Sequence, residues 1–176
     1  MATSALDGTP AHTVGELPAV GSPAPAYTLT DGRLGDVTPD DAAGQRLVIC
    51  TFPSVGTGVC GASLRRFNEL AAGLDDTRVL CVSMDLPFAL HGFCGAEGLH
   101  DVAVASAFRS DFGETYGVRL VDSAFAGLLA RAVVVVDGSG TVTYTQLVPD
   151  IGQEPDYDAV LAALDRPTHR TDRRTT

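Results

Sequence analysis

Apolar residues in this chain come in short dense runs rather than in strict alternation. RLVICTF (46–52) and TRVLCVSM (77–84) are β-branched and apolar at consecutive positions, as strands buried on both faces require. VAVAS (102–106) is a shorter run of the same kind, and RAVVVVDGSGTVTYTQLV (131–148) reads as strand, tight turn, strand. Between these runs the period becomes helical. From about Cys60 to Gly73, the residues Leu64, Phe67, Leu70 and Ala71 recur on one face. A shorter helix is expected from Pro87 to about Cys94, a helical turn and loop in SDFGETYGV (110–118), and a last helix over Tyr157–Leu164. Nearer the start, YTLTDGRLGDVT (27–38) reads as two short extended pieces around an Asp-Gly turn. Thr38 then caps a helical turn that has Pro39 at its first position.

Residues 1–11 read as a loose, flexible polar stretch and Ala11–Val20 as a short hairpin or arm. DRPTHRTDRRTT (165–176) reads as a disordered tail, leaving 12–164 as one folded domain. Strand, helix, strand, helix, strand, hairpin, helix is an α/β order. Parallel neighbours closed by an antiparallel hairpin predict a thioredoxin-like fold: a central mixed sheet, helices on both faces and an N-terminal hairpin. Chemistry in such sheets lies beyond the carboxyl ends of the strands, where Cys60 follows RLVICTF.

The loop PSVGTGVC (53–60) sets a proline, a threonine and a cysteine at the start of a helix. A thiol reacts as its thiolate. The unpaired N–H groups and positive dipole end of a helix start favour an anion. Arg131, ahead of the AVVVV strand, is a candidate cation beside it. The Thr57 hydroxyl, three residues before Cys60, can be aimed at the sulfur or at a substrate oxygen. Pro53 brings no N–H and can shield the sulfur from water. A thiolate among donors suits attack on a polarised O–O bond, leaving a sulfenic acid on Cys60. A second thiol is then needed, and Cys94, near the same rim, is the candidate. Cys50 and Cys81 sit inside apolar strands and read as buried and inert.

Charge and composition narrow the partners. Acidic residues outnumber basic ones for a net charge of -10, which argues against nucleic acid and anionic membrane surfaces. All basic residues are arginine. No run approaches the roughly 20 apolar residues of a membrane helix, and the first residues lack a basic-then-apolar leader, so a cytoplasmic protein is expected. Zinc would need close ligand pairs; His91 and Cys94 form only one, so neither metal nor cofactor is expected.

The motif PSVGTGVC resembles the Pro-x-x-x-Thr-x-x-Cys pattern of the peroxiredoxins. FPSVGTGVCGASLRRFNEL, VLCVSMDLPFALHGFCGAEGL and ARAVVVVDGSGTVTYTQLVPDIGQEPDYDAVLAAL are similar to the thiol peroxidase subfamily, the atypical two-cysteine peroxiredoxins. The resemblance covers about residues 10 to 164. It implies that Cys60 attacks hydroperoxides, organic ones above all, and that Cys94 resolves the product. It also implies that Thr57, Arg131 and Pro53 surround the thiolate. An intramolecular Cys60–Cys94 disulfide, reduction by thioredoxin and a homodimer are implied as well. One departure is Gly56, where the subfamily often has aspartate. The competing reading is a thioredoxin-fold sensor that forms the same disulfide without turnover.

Two sulfurs bond only when their Cα atoms come within about 7 Å. A reduced fold that keeps the thiolate pocket intact is expected to hold Cys60 and Cys94 further apart. Both segments are then expected to unwind on oxidation, helped by glycines 56, 58, 61, 92 and 95.

Overall fold

The dense apolar runs form the middle of a seven-stranded sheet in the computed structural model, which describes residues 1–165. Its central strands are β5 (Arg46–Thr51), β6 (Thr77–Ser83) and β7 (Ala103–Ser106), which run parallel to one another. Two further strands, β8 (Ala132–Val136) and β9 (Val142–Leu147), extend the sheet antiparallel beyond β5. On the other side β3 (Leu29–Thr30) and β4 (Asp36–Val37) add a short antiparallel edge, giving the order β4-β3-β7-β6-β5-β8-β9. The expected thioredoxin-like α/β architecture with its mixed sheet is present.

Residue parity explains why the runs do not alternate. On β5 and β8, Val48, Cys50, Val133 and Val135 face one layer, while Leu47, Ile49, Val134 and Val136 face the other. Helices α1 (Gly58–Ala71), α2 (Pro87–Glu97) and α4 (Tyr157–Leu164) cover the first layer through Leu64, Phe67, Leu90, Val160 and Leu164. The short α3 (Phe112–Thr115) and its flanks cover the second. There Phe112 stacks on Tyr116 at 4.4 Å and meets Tyr27 edge-on at 5.9 Å. Both faces are therefore buried, and the middle positions of β5, β6 and β8 are apolar for that reason, with polar residues such as Arg46, Thr51, Thr77 and Ser83 confined to the strand ends. A single 3-10 turn, Pro39–Ala42, follows Thr38, whose backbone N–H donates to Asp41.

Two elements lie elsewhere than the sequence suggests. The stretch 1–11, expected to be loose, forms a hairpin of β1 (Thr3–Leu6) and β2 (Thr9–His12), and this is the N-terminal hairpin expected over 11–20. Asp7 and Gly8 turn it with φ of +50° and +76°, the two-residue turn that Asp-Gly favours. Tertiary bonds hold it down: the Ser4 hydroxyl donates to the Val148 carbonyl at 2.8 Å and the Ile151 N–H to the Ala5 carbonyl at 2.8 Å. The helix carrying Cys94 continues to Glu97 and stops at Gly98, which has φ +67°. Of the tail expected over 165–176, all but Asp165 lies outside the described residues. Among the described residues no helix is long and apolar enough to cross a membrane.

Burial of the tyrosines sets an alkaline limit. Burial pushes Tyr27 up to about 12 and raises Tyr116, Tyr157 and Tyr144 as well. Unfolded tyrosines ionise near pH 10, so above that pH the unfolded chain loses protons that the fold retains, and stability falls as pH rises. Phenolate absorbance at 295 nm is expected to stay low in the folded protein and to rise together with loss of far-UV circular dichroism between about pH 10 and 12. Tyrosines titrating near 10 in a folded protein would contradict this burial.

Candidate active site

Topology brings a helix start and a strand start together. Because β8 runs antiparallel to β5, its first residue Ala132 pairs with Thr51, the last residue of β5. Arg131, one residue earlier, therefore lies at the rim where the loop 52–57 leads into α1. Cys60 is the third residue of that helix, which begins at Gly58, two residues earlier than its expected start.

Thr57 occupies the N-cap of α1 in an extended conformation (φ -104°, ψ 143°), yet its side chain makes no capping bond. An N-cap hydroxyl ordinarily accepts from a backbone N–H of the first turn. Here Thr57 Oγ1 lies 2.8 Å from Cys60 Sγ and donates to it, its other acceptor, the Ser54 carbonyl, being further at 3.3 Å. Arg131 Nη2 donates to the same sulfur at 3.2 Å. The rest of the guanidinium is held in place, with Nε donating to the Ile151 carbonyl at 3.1 Å and Nη1 to Ser63 Oγ at 3.2 Å. Ser63 commits its own hydrogen to the Val59 carbonyl, 3.0 Å away, which leaves a lone pair for Arg131.

The electrostatics follow from burial. Arg131 is 1% exposed and Cys60 0%. A guanidinium stays protonated in proteins, and an uncompensated buried charge costs several kcal/mol. The arginine ion pairs among the described residues use Arg65, Arg66 and Arg119, and none uses Arg131. Among the described residues the ionisable side chain that Arg131 touches is Cys60, through Sγ. Two donors aimed at one sulfur, one of them cationic, form a site suited to nucleophilic chemistry at that sulfur.

Of the expected residues, the structure brings Cys60, Thr57 and Arg131 into direct contact. Pro53 is buried at the start of the loop, two residues beyond β5. Cys94 lies in α2, 7% exposed, in the same apolar cluster as Cys60. The two helices touch: a Cβ on Gly61 would lie 3.2 Å from the Phe93 ring, and Arg65 Nε donates to Glu97 at 2.7 Å. All four cysteines are free thiols. Burial pushes the Cys94 thiol up, so it stays protonated while α2 is intact. Cys50 and Cys81 are buried register partners on β5 and β6, and the facing Cys50 together with burial pushes the Cys81 thiol well up.

Sequence reasoning missed Ser63 and Asp85. Ser63 sits three residues after Cys60, the spacing that places two side chains on one helix face. Asp85 is the first charged residue after the β6 run, at the same rim as Cys60. It accepts from Ser54 Oγ at 2.7 Å, the Val55 N–H at 2.9 Å and Ser83 Oγ at 2.7 Å.

The Redoxin family matches residues 19–161. The chain is 58% identical to a thiol peroxidase of Mycobacterium bovis over 93% of its own length and 99% of that protein. It is 54% identical, with the same coverage, to a thiol peroxidase of Corynebacterium glutamicum. Among solved structures, a peroxiredoxin-like protein from Aquifex aeolicus superposes with a TM-score of 0.86 at 42% identity, covering 91% of this chain and 94% of that one.

The diverted cap yields a stability prediction. Thr57→Val removes no capping bond and is expected to lower unfolding free energy by less than about 1 kcal/mol. Asp156 does cap α4, accepting from the Ala159 N–H at 2.9 Å. Asp156→Ala is expected to cost about 1 kcal/mol or more. Urea unfolding of the two reduced variants measures the contrast, and a larger loss in Thr57→Val would refute it.

Proposed function

The chain belongs to the redoxin family, and from that membership we propose that it is a thiol-specific peroxidase acting through Cys60 and Cys94. The observation that carries the assignment of residues is the buried Arg131 guanidinium donating, with the Thr57 hydroxyl, to Cys60 Sγ. The Cys60 thiolate attacks one oxygen of a hydroperoxide and the O–O bond breaks. The leaving oxygen takes a proton and departs as an alcohol, or as water from hydrogen peroxide. Cys60 is left as a sulfenic acid. Charge grows on the leaving oxygen as the bond breaks, and the Arg131 and Thr57 donors can follow it. Pro53 keeps a buried, donor-free wall at the loop start.

Cys94 then attacks the Cys60 sulfur, water leaves, and an intramolecular disulfide forms. Both helices must open for this, since the Cys94 thiol is buried and held protonated in α2. An external dithiol of the thioredoxin type reduces the disulfide by exchange. Organic hydroperoxides are the favoured substrates, in keeping with the apolar surroundings of Cys60. Four free thiols fit a reducing compartment, the cytoplasm. Leu86 and Phe88, 56% and 62% exposed at the start of α2, offer an apolar surface on which two copies can associate as a homodimer.

The test is peroxide-dependent NADPH consumption with thioredoxin and thioredoxin reductase, using cumene hydroperoxide and hydrogen peroxide. Steady turnover is expected in the wild type, none in Cys60→Ser, and at least a tenfold loss in Cys94→Ser. Thr57→Val is expected to slow Cys60 oxidation about a hundredfold, as loss of one aimed donor does. A wild type that forms one disulfide and stops would instead be a redox sensor.

A further inference from the structure

The loop before Cys60 and the segment before the Cys94 helix share one carboxylate. Asp85 stands between Ser83, which ends β6, and Leu86, the N-cap of α2. Its Oδ2 accepts from the Val55 N–H and from Ser83 Oγ, and its Oδ1 accepts from Ser54 Oγ. Ser54 in turn accepts the Gly56 N–H on its hydroxyl at 3.1 Å and the Thr57 N–H on its carbonyl at 3.2 Å. Thr57 then donates to Cys60 Sγ. The backbone carbonyl of Asp85 accepts from Ser106 Oγ at the end of β7, so the same residue is fastened to a third strand. A continuous set of hydrogen bonds therefore runs from the root of the Cys94 helix to the reacting sulfur, and Gly56 contributes only its N–H to it.

We propose that Asp85 is a positioning residue for both half-reactions, a carboxylate latch that joins the Cys60 loop to the start of the Cys94 helix. Closed, it aims Thr57 at the sulfur and favours attack on peroxide. Released, it frees both segments, which disulfide formation requires. This rests on the peroxidase reading above and adds to it a residue that sets the balance between the two steps. An ionised carboxylate accepts all three bonds at once; a carboxamide puts a donor where Oδ1 stood, so Ser54 Oγ can no longer donate there, and the charge that strengthens the Val55 and Ser83 bonds is lost.

Asp85→Asn keeps the volume and tests the latch. Hydrogen exchange of the reduced protein is expected to show at least tenfold faster exchange in 54–60 and 84–90, with β8 unchanged. In a Cys94→Ser background, the rate constant for Cys60 oxidation, followed by competition with a haem peroxidase, is expected to fall at least tenfold. With Cys94 present, acid-quenched mass spectrometry is expected to find disulfide formation severalfold faster. Excess peroxide is then expected to leave less Cys60 as sulfinic acid. Ser54→Ala, which removes one of the three bonds, is expected to move each quantity the same way by less, and serves if Asp85→Asn folds poorly. Val142→Ala, in the opposite layer, controls for general loss of stability.

Oxidation and resolution slowing together, or Asp85→Asn behaving as Val142→Ala does at matched melting temperature, would overturn the proposal. So would unchanged exchange in both segments. Exchange needs no peroxide, so a wild type inert to peroxide would defeat the peroxidase reading while the latch itself was still decided by the exchange result.

Discussion

A guanidinium buried without a carboxylate is the constraint around which this molecule is arranged. Arg131 is covered on all sides, and among the described residues the ionisable side chain it bonds is that of Cys60. That requirement reaches outward in two directions. Ser63 and the Ile151 carbonyl must be present and correctly turned, or the cation drifts from the sulfur. The antiparallel insertion of β8 beside β5 must hold too, because only that direction delivers a strand start to the rim where three parallel strands end. The mixed character of the sheet thus serves the site: a parallel strand at the same place would carry its first residue to the far edge.

Helix α1 is treated in a corresponding way. Its first turn gives up the usual hydroxyl cap and lets Thr57 point at a side chain instead of at the backbone. Local stability is exchanged for charge placement at one atom, the kind of local departure expected where a fold meets its chemistry.

Much of this was legible in the chain. The dense strands announced burial on both faces, and the approach of Thr57 and Arg131 to Cys60 could be anticipated from position and from the resemblance together. Cys94 is expected near the same rim, and the structure sets it two turns into α2, a helix that starts at Pro87. Ser63, Asp85 and the Ile151 carbonyl could not be anticipated, because each acts through contacts between residues far apart in sequence. Pairing of β3 with β7 was equally hidden, resting on a single register pair, Thr30 with Ser106. The hairpin of β1 and β2 escaped for a different reason. Its Asp-Gly turn was in plain view, but with few apolar residues its order comes from bonds to 148–151, not from its own pattern.

That hairpin gives the amino-terminal end of the chain an unexpected weight. Ala5 receives the N–H of Ile151, and the carbonyl of the same Ile151 receives Nε of Arg131. Two hydrogen bonds thus separate the outermost strand from the buried cation. A fusion partner or trimmed sequence at this end would act as a change to the outer buttress of the reactive centre. For anyone engineering the protein, the first dozen residues belong with the site and not with the disposable surface.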